Sequence, residues 1–424
     1  MNMNKSTSEP KALTQGTNSP HTEASSAATG DEPTHAAVGT PAVNSVKSPD
    51  ANDATEGRLC LASAADKTAP PRKMDRGLAA SVSTKKLKQG IWLRALLTAN
   101  RFRVIRTLDI AVCCFSERNF KAALTAAQRA VRGMVKAELL KRYRSDRFQT
   151  IYGLGQAGVD WLEEAGHEAS SSVRRVSDMT NPEHRLWAQF WTLACEARGL
   201  VAMTEQELLQ NLNKGNKPGQ PLMQGLLNVT TMQGNKARNV QLRPDAVATE
   251  RSTKGINGGT VWLEVDRSKR GSDREASLSA LLSSVGRTLK DGSRLCRVVI
   301  FCKTERIQKR ALAVMNTLAK ANNDEVLIPG RRQFLEVERG LYSVWTAIES
   351  KLADGRSELV DAMVGHINIQ MLPIWLPKVR IDASNTHSLA GWFDENYLPY
   401  RKAPGEGTWP KLTSPLLAPL TTAK

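Results

Sequence analysis

Long apolar runs are missing from this chain, and cysteine is sparse. No apolar stretch approaches the roughly 20 residues that span a bilayer, and the first residues lack the apolar core of a secretory signal peptide. The six cysteines form no Cys-x-x-Cys pair and have no histidine nearby at metal-ligand spacing, so we expect buried thiols rather than ligands or nucleophiles. These absences predict a cytoplasmic protein in a reducing compartment, with no membrane partner.

Acidic residues are too few to balance the basic ones. The 424 residues carry a formal charge of +17, and residues 1–88 hold 11 Lys and Arg against 9 Asp and Glu, so the remainder carries +15. This excess favours a polyanionic partner. Composition divides the chain into a disordered low-complexity tail at 1–87, folded regions at 88–168 and 179–330, a C-terminal extension packing on the second region at 331–403, and a flexible tail at 404–424.

The most basic part of the first folded region is 101–150, with twelve Lys and Arg against four Asp and Glu. A helical period over 121–137 gives one apolar side and one polar, basic side. A short apolar helix over 108–115 precedes it, with Ser116 as the expected N-cap of the second helix. Two short strands, 139–144 and 148–154, are predicted to form a hairpin after it.

Helix, turn, helix and basic hairpin together predict a winged helix-turn-helix that binds double-stranded DNA. The hairpin cations would contact phosphates without reading sequence. The alternative is an ordinary solvated basic face. The predicted DNA-binding residues are Arg118, Lys121, Thr125, Gln128, Arg129, Arg132, Lys136, Arg142, Arg144 and Arg147.

The glycines at 153, 155 and 158 fit the Gly-x-Gly-x-x-Gly spacing of a dinucleotide-binding turn, with Asp178 at a suitable distance. The segment before Asp178 is polar, however, and offers no buried parallel strand. We therefore interpret the glycines as the exit from the hairpin.

The second folded region is predicted to be α/β, which makes the whole protein α+β. A helix over 182–198, opened by Asn181 as its cap, carries an aromatic stripe that we assign to the core, with His184 near its start. Residues 213–241 are predicted to be a loop. The predicted strands are 244–250, 260–266 and 296–303, and the predicted helices are 275–290 and 305–321.

Three acids fall on two of these strands. Asp245 begins one strand, whereas Glu264 and Asp266 end the next and point to the same side of it. Carboxylates converging in this way bind Mg²⁺ or Mn²⁺ for phosphodiester hydrolysis, and Lys269 is the candidate helper that stabilises phosphate charge. The alternative is that these acids only form ion pairs with neighbouring Arg243, Arg267, Lys269 and Arg270.

Four segments resemble the replication-relaxation family of plasmids and integrative elements: 152–158, the helix around His184, Arg-Pro-Asp-Ala-Val at 243–247 and Trp-Leu-Glu-Val-Asp-Arg at 262–267. The resemblance covers roughly 90–320. It implies a DNA-binding accessory protein acting in replication or conjugative mobilisation. The β-α-β part also looks like the core of PD-(D/E)xK nucleases, which implies a restriction-endonuclease-like fold with Asp245 and Glu264 at acidic positions. Asp266 stands where that pattern has lysine.

Two further functions stay open beside DNA binding. One is a metal-dependent nuclease targeted by the winged helix, using the three acids and Lys269. The other is an adaptor that docks a relaxase or a replication initiator. Past 330 the sequence predicts one or two strands within 366–381 and an aromatic patch at 392–400 that folds onto the body or meets a partner. The sequence leaves the oligomeric state open.

Overall fold

The computed structural model describes residues 83–144, 150–171, 182–233, 236–250, 258–266, 272–323, 331–351, 357–372 and 397–417. The helices are α1 (Thr84–Phe102), α2 (Thr107–Phe115), α3 (Phe120–Lys136), α4 (Gln156–Glu164), α5 (Pro182–Ala197), α6 (Glu205–Leu212), α7 (Ser272–Leu282) and α8 (Glu305–Asn323). The strands are β1 (Leu140–Arg144), β2 (Thr150–Leu154), β3 (Val201–Thr204), β4 (Leu227–Gln233), β5 (Lys236–Leu242), β6 (Ala246–Thr249), β7 (Thr260–Asp266), β8 (Leu295–Cys302), β9 (Gln333–Glu338), β10 (Leu341–Lys351) and β11 (Ser357–Met371). The protein is therefore α+β.

One mixed sheet of seven strands organises the second half of the chain. Its order is β3-β6-β7-β8-β11-β10-β9, and two separate hairpins, β1-β2 and β4-β5, lie outside it. The central strands β7, β8 and β11 run parallel, whereas every other pairing in the sheet is antiparallel. The crossovers α7 and α8 account for the parallel pairings, because parallel neighbours need a long connection.

The two faces of this sheet bury different cores. Alternation along β7 sends Val261, Leu263 and Val265 to the side of α1–α5, and sends Trp262 to the side of α7 and α8. Strand β8 is buried along its whole length. That burial explains its unbroken apolar sequence, since helices or hairpins cover both of its sides.

The first of these cores crosses the boundary predicted at 168–179. It contains residues of α1–α4 together with Trp187, Phe190 and Trp191 of α5 and Phe301 of β8. Residues 73–424 form a single compact unit. Helices α1–α4 and the sheet therefore share one core, and burying the aromatic stripe of α5 joins them.

The region after residue 330 is part of the sheet. Strand β11 lies between β8 and β10, with His366 opposite Arg297 in a parallel register. The predicted boundary at 330 thus divides one hydrogen-bonded sheet. The predicted strand within 366–381 begins earlier, at Ser357, and its part beyond 372 lies outside the described residues.

The C-terminal segment packs onto the first core. Tyr397 and Tyr400 are fully buried, and Trp409 lies edge-on to the Tyr400 ring at 4.9 Å between centroids. Arg198 donates a hydrogen bond to the carbonyl of Pro410 at 2.6 Å. The described residues of the predicted tail, 404–417, are therefore held by contacts, and Tyr397 and Tyr400 of the aromatic patch fold onto the body.

A buried ionic cluster lies under this segment. Arg297 is 2% exposed and pairs with Glu406 and with Glu250, the latter at 3.4 Å. It also donates to the side-chain oxygen of Asn368 at 3.1 Å, and its guanidinium lies 4.5 Å from the centre of the Tyr400 ring. A buried cation costs free energy unless it is paired, and this one has two carboxylates.

Several elements differ from the prediction. Asn119, not Ser116, caps α3 by accepting from the amide of Ala122 at 3.1 Å, whereas Ser116 ends α2. Helix α1 was not predicted, and neither were β3 and α6. The supposed loop at 213–241 contains β4 and most of β5. The predicted helix 275–290 ends at Leu282, where turns lead to Gly286 with a φ of 86°. Asn181 lies outside the described residues.

Candidate nucleic-acid interface

Helix α3 has two well separated faces. Ala123, Ala127, Val131 and Met134 are buried against the first core, as the helical period predicts. The opposite face is exposed along its whole length and carries Lys121, Thr125, Gln128, Arg129, Arg132 and Lys136. No Asp or Glu occurs in its 17 residues. The face is therefore polar and positively charged from end to end.

Hydrogen bonds to the helix backbone orient two side chains on this face. The hydroxyl of Thr125 donates to the carbonyl of Lys121 at 2.8 Å. The Nε of Arg132 donates to the carbonyl of Gln128 at 3.3 Å. The Thr125 contact leaves the hydroxyl oxygen available as an acceptor. The Arg132 contact lays the guanidinium along the helix surface.

Arg118 lies outside the helix that was expected to contain it. It precedes the cap Asn119, and its Nε pairs with Glu117 at 3.3 Å. Its guanidinium also lies 4.8 Å from the centre of the Phe115 ring. The side chain is 43% exposed. Because it follows α2 instead of lying on α3, Arg118 is placed at the turn between the two helices.

The hairpin β1-β2 follows α3 as predicted. Arg144 pairs in register with Thr150, and both Arg142 and Arg144 are exposed. A third segment joins the hairpin, because Ile105 and Tyr152 exchange two backbone hydrogen bonds of 2.9 and 2.8 Å. The predicted contact residue Arg147 lies outside the described residues. The hairpin is thus fixed to the segment between α1 and α2.

The glycines after β2 have a packing role. A Cβ on Gly158 would lie 2.3 Å from the carbonyl oxygen of Leu139, and one on Gly155 would lie 2.6 Å from that of Glu138. Only glycine allows the start of α4 to come this close to the turn before β1. These contacts explain the spacing without a bound dinucleotide and agree with its interpretation as the hairpin exit.

The acids of the second region lie at the end of β7. An Oδ2 atom of Asp245 accepts from the amide of Val265 at 2.6 Å and lies 3.0 Å from Nε2 of His184. An Oε1 atom of Glu264 accepts from the indole of Trp262 at 2.7 Å. Asp266 is buried, and its carbonyl accepts from the amide of Lys303 at 2.9 Å. Asp245 and β7 are therefore adjacent.

The predicted Mg²⁺ or Mn²⁺ ligands do not form a ready site. In the described parts of the chain, no three His, Cys, Asp or Glu side chains are placed to hold a metal ion together. One oxygen of Asp245 and one of Glu264 already accept protein hydrogen bonds. The proposed helper Lys269, with Arg267 and Arg270, lies outside the described residues. Of the expected ion-pair partners, Arg243 pairs with Glu205 at 3.3 Å.

The sequence did not reveal His184 as the partner of Asp245. The two residues lie 61 positions apart in the chain, and the first turn of α5 brings His184 to Asp245, the residue just before β6. The His184 side chain is 33% exposed and that of Asp245 is 13% exposed. The pair is open to solvent on the histidine side. The position of His184 at the start of an amphipathic helix was the available signal.

The described cysteines are buried or half-buried free thiols. Burial raises the pKa of Cys296 to about 12, and it raises the pKa of Cys195 well above its ordinary value. Such thiols stay protonated near neutral pH and are poor nucleophiles. The expectation of buried thiols is confirmed for Cys114, Cys195, Cys296 and Cys302.

No family model, curated protein or solved structure matches this chain. The likenesses to the replication-relaxation family and to PD-(D/E)xK nucleases therefore rest on the residues that suggested them. None of the described helices combines the length and apolarity needed to cross a bilayer.

Proposed function

We propose that this protein binds double-stranded DNA through α3 and the β1-β2 hairpin. On this proposal it is an accessory protein of a plasmid or integrative element that acts in replication or conjugative mobilisation. The observation that carries the proposal is the acid-free exposed face of α3, which presents four cations and Gln128 opposite a face that packs against the core.

The exposed face has the chemistry needed for a DNA groove. A major groove accommodates an α-helix, Arg and Lys pair with guanine edges, and Gln pairs with adenine. The hairpin would hold the backbone through Arg142 and Arg144, because phosphate contacts fix position and orientation. The arrangement of α2, α3 and the hairpin supports a winged helix-turn-helix. The net charge adds a long-range attraction to polyanions.

The experiment compares groove and backbone contacts. A preferred site is first selected from a random duplex library. Arg132→Ala is then expected to lower the affinity for that site by about 10-fold to 100-fold and to lower the affinity for random duplex far less. Arg144→Ala should weaken both DNAs alike. Lys320→Ala, which removes an exposed cation at the far end of α8, is the control and should change neither. Equal loss on both DNAs for Arg132→Ala would contradict the groove assignment.

A metal-dependent nuclease is the second candidate, and one observation favours it. The antiparallel pairing of β6 with β7 brings the carboxylate of Asp245 to the amide of Val265. Asp245 therefore lies close to the chain positions of Glu264 and Asp266, which flank Val265. The occupied carboxylate oxygens and the aspartate in the place of lysine weigh against it. Supercoiled plasmid incubated with Mg²⁺ or Mn²⁺ is therefore expected to be retarded but intact. Nicking that requires the metal and disappears in Glu264→Ala would establish the nuclease instead.

The adaptor role requires a protein partner. On this proposal a relaxase or a replication initiator docks on the sheet region while α3 holds DNA. The fixed connection between α3 and the sheet through their shared core supports such a bridge, since a docked protein would be held at a defined position relative to the DNA. Mobility gels with protein, DNA and purified relaxase would test it through a ternary band.

A further inference from the structure

The β4-β5 hairpin is anchored at one end and exposed at the other. Its strands pair from Leu227 opposite Leu242 to Gln233 opposite Lys236. Near the base, Leu227 and Val229 are buried in the second core, where β4 packs against α7. Towards the far end Met232 is 62% exposed. Apart from Thr231, which is buried, the described side chains of the far half of this ribbon are exposed and thus available to a partner.

The ribbon and the loop before it contain no acids. From Leu208 to Pro244 the chain carries five Lys and Arg and no Asp or Glu. Arg243 pairs with Glu205. Lys214, Lys217, Lys236 and Arg238 are exposed and form no ion pair within the part of the chain that the structure describes. A solvated basic face normally mixes both signs of charge, so this composition indicates an anionic partner.

The outer face of the ribbon adds neutral hydrogen-bonding groups. Asn228, Thr230, Asn239 and Gln241 are all exposed and alternate along the two strands. The hydroxyl of Thr230 donates to the side-chain oxygen of Asn239 at 2.9 Å. This contact orients the Asn239 amide and leaves its NH₂ group as a donor. Arg238 and Lys236 are opposite Thr231 and Gln233, so they lie on the other face of the ribbon, the one that buries Leu227 and Val229 near its base. The ribbon thus offers donors on one face and unpaired cations on the other, and both suit phosphate and sugar oxygens.

We propose that the β4-β5 ribbon is a second contact site for duplex DNA, separate from α3 and independent of base sequence. A two-stranded ribbon fits the width of a major groove, and strands are used in this way by known DNA-binding folds. In this complex the outer polar side chains face the groove, and the long side chains of Lys236 and Arg238 extend from the other face past the strand edges to the phosphates that border it. The proposal shares with the proposed function only the class of partner.

The test uses the full chain and random-sequence duplex DNA. The double variant Lys236→Gln/Arg238→Gln is compared with Arg306→Gln/Lys309→Gln, which removes the same charge from the exposed surface of α8. Fluorescence anisotropy is measured between about 50 and 200 mM salt. Because each phosphate contact contributes about 0.9 to the slope of log affinity against log salt, the ribbon variant should lower the slope by about 2 and the control should not.

The outcomes separate this proposal from the function of α3. If the ribbon variant keeps the wild-type affinity and the wild-type salt slope, the proposed ribbon contact with DNA is overturned. An acidic protein then becomes the better candidate partner for the ribbon. If Arg132→Ala still weakens the preferred site in that case, DNA binding by α3 stands. A lower slope in the ribbon variant with no effect of Arg132→Ala supports the ribbon and contradicts α3. Unchanged melting of both double variants is expected, since all four side chains are exposed.

Discussion

Arg106 donates a hydrogen bond from its Nη2 to the backbone carbonyl of Leu186 at 2.7 Å, which ties the start of α2 to α5. Asp109 holds this arginine in place through its Oδ1 at 3.1 Å and also caps the Arg106 amide at 2.7 Å. Gln189 donates to the same carboxylate at 3.2 Å. Both charges are buried, so the junction between α2 and α5 depends on their pairing.

Replacing Asp109 by Ala is expected to destabilise the protein strongly. The change leaves the Arg106 guanidinium buried without its counter-charge, and breaking such a pair costs about 3 to 5 kcal/mol. Urea unfolding followed by tryptophan fluorescence measures the loss. Asp160→Ala on the exposed side of α4 is the control, because Asp160 is exposed and accepts from Gln156 of the same helix at 2.8 Å. A loss under about 1 kcal/mol for Asp109→Ala would show that the junction does not need the pair.

Gly158→Ala tests the packing role of the glycines after β2. The added methyl would lie 2.3 Å from the carbonyl oxygen of Leu139, and we expect a loss of about 1 to 3 kcal/mol in the free energy of unfolding. Gly90→Ala is the matched control within α1, where a Cβ meets nothing within 4 Å, and it should stabilise by about 0.5 to 1 kcal/mol. A neutral Gly158→Ala would argue against the packing explanation.

His366 makes stability depend on pH in acid. Burial, reinforced by Arg297, lowers its pKa from 6.5 to about 4, although Glu406 at 3.2 Å and Glu250 oppose the shift. The unfolded chain therefore binds a proton below about pH 6.5 that the folded chain accepts only near pH 4. Stability is full above the unfolded pKa and falls as pH drops through this window.

The loss attributable to His366 is roughly 3 kcal/mol, since each pKa unit corresponds to about 1.36 kcal/mol. His366→Gln removes the titrating group and keeps a hydrogen-bond donor. Comparing the free energy of unfolding of both proteins from pH 7 to pH 4 isolates this contribution from that of the carboxyl groups. Parallel pH profiles for the two proteins would refute the shift.

The helix period was enough to predict the exposed face of α3, although the residue expected to cap it was wrong. Its apolar positions repeat every three to four residues, and the helix found over Phe120–Lys136 buries them. Strand β7 was predicted with its bounds, because its apolar run is flanked by residues that break strands. These elements have strong local signals, so tertiary contacts did not need to be known.

The ribbon and the shared core could not be predicted in the same way. The residues from Lys236 through Asn239 in β5 are all exposed. Strand β5 therefore lacks the alternation that marks a half-buried strand. Likewise, Trp187 and Phe190 were expected to be core residues, but a single sequence does not say which elements cover them. The pairing of Asp245 with His184 could not be predicted for the same reason, because the two residues are far apart in the chain.

The common core of α1–α4 and the sheet also bears on how such a protein can change over generations. Phe190 and Trp191 pack with residues of α1–α4 in one cluster. A recombination event that replaced α1–α4 with an unrelated module would leave these aromatic side chains without their complementary surface. On the proposed function, new DNA preferences would therefore arise by point substitutions on the exposed side of α3, at positions such as Gln128 and Arg132, while the buried side stays constrained.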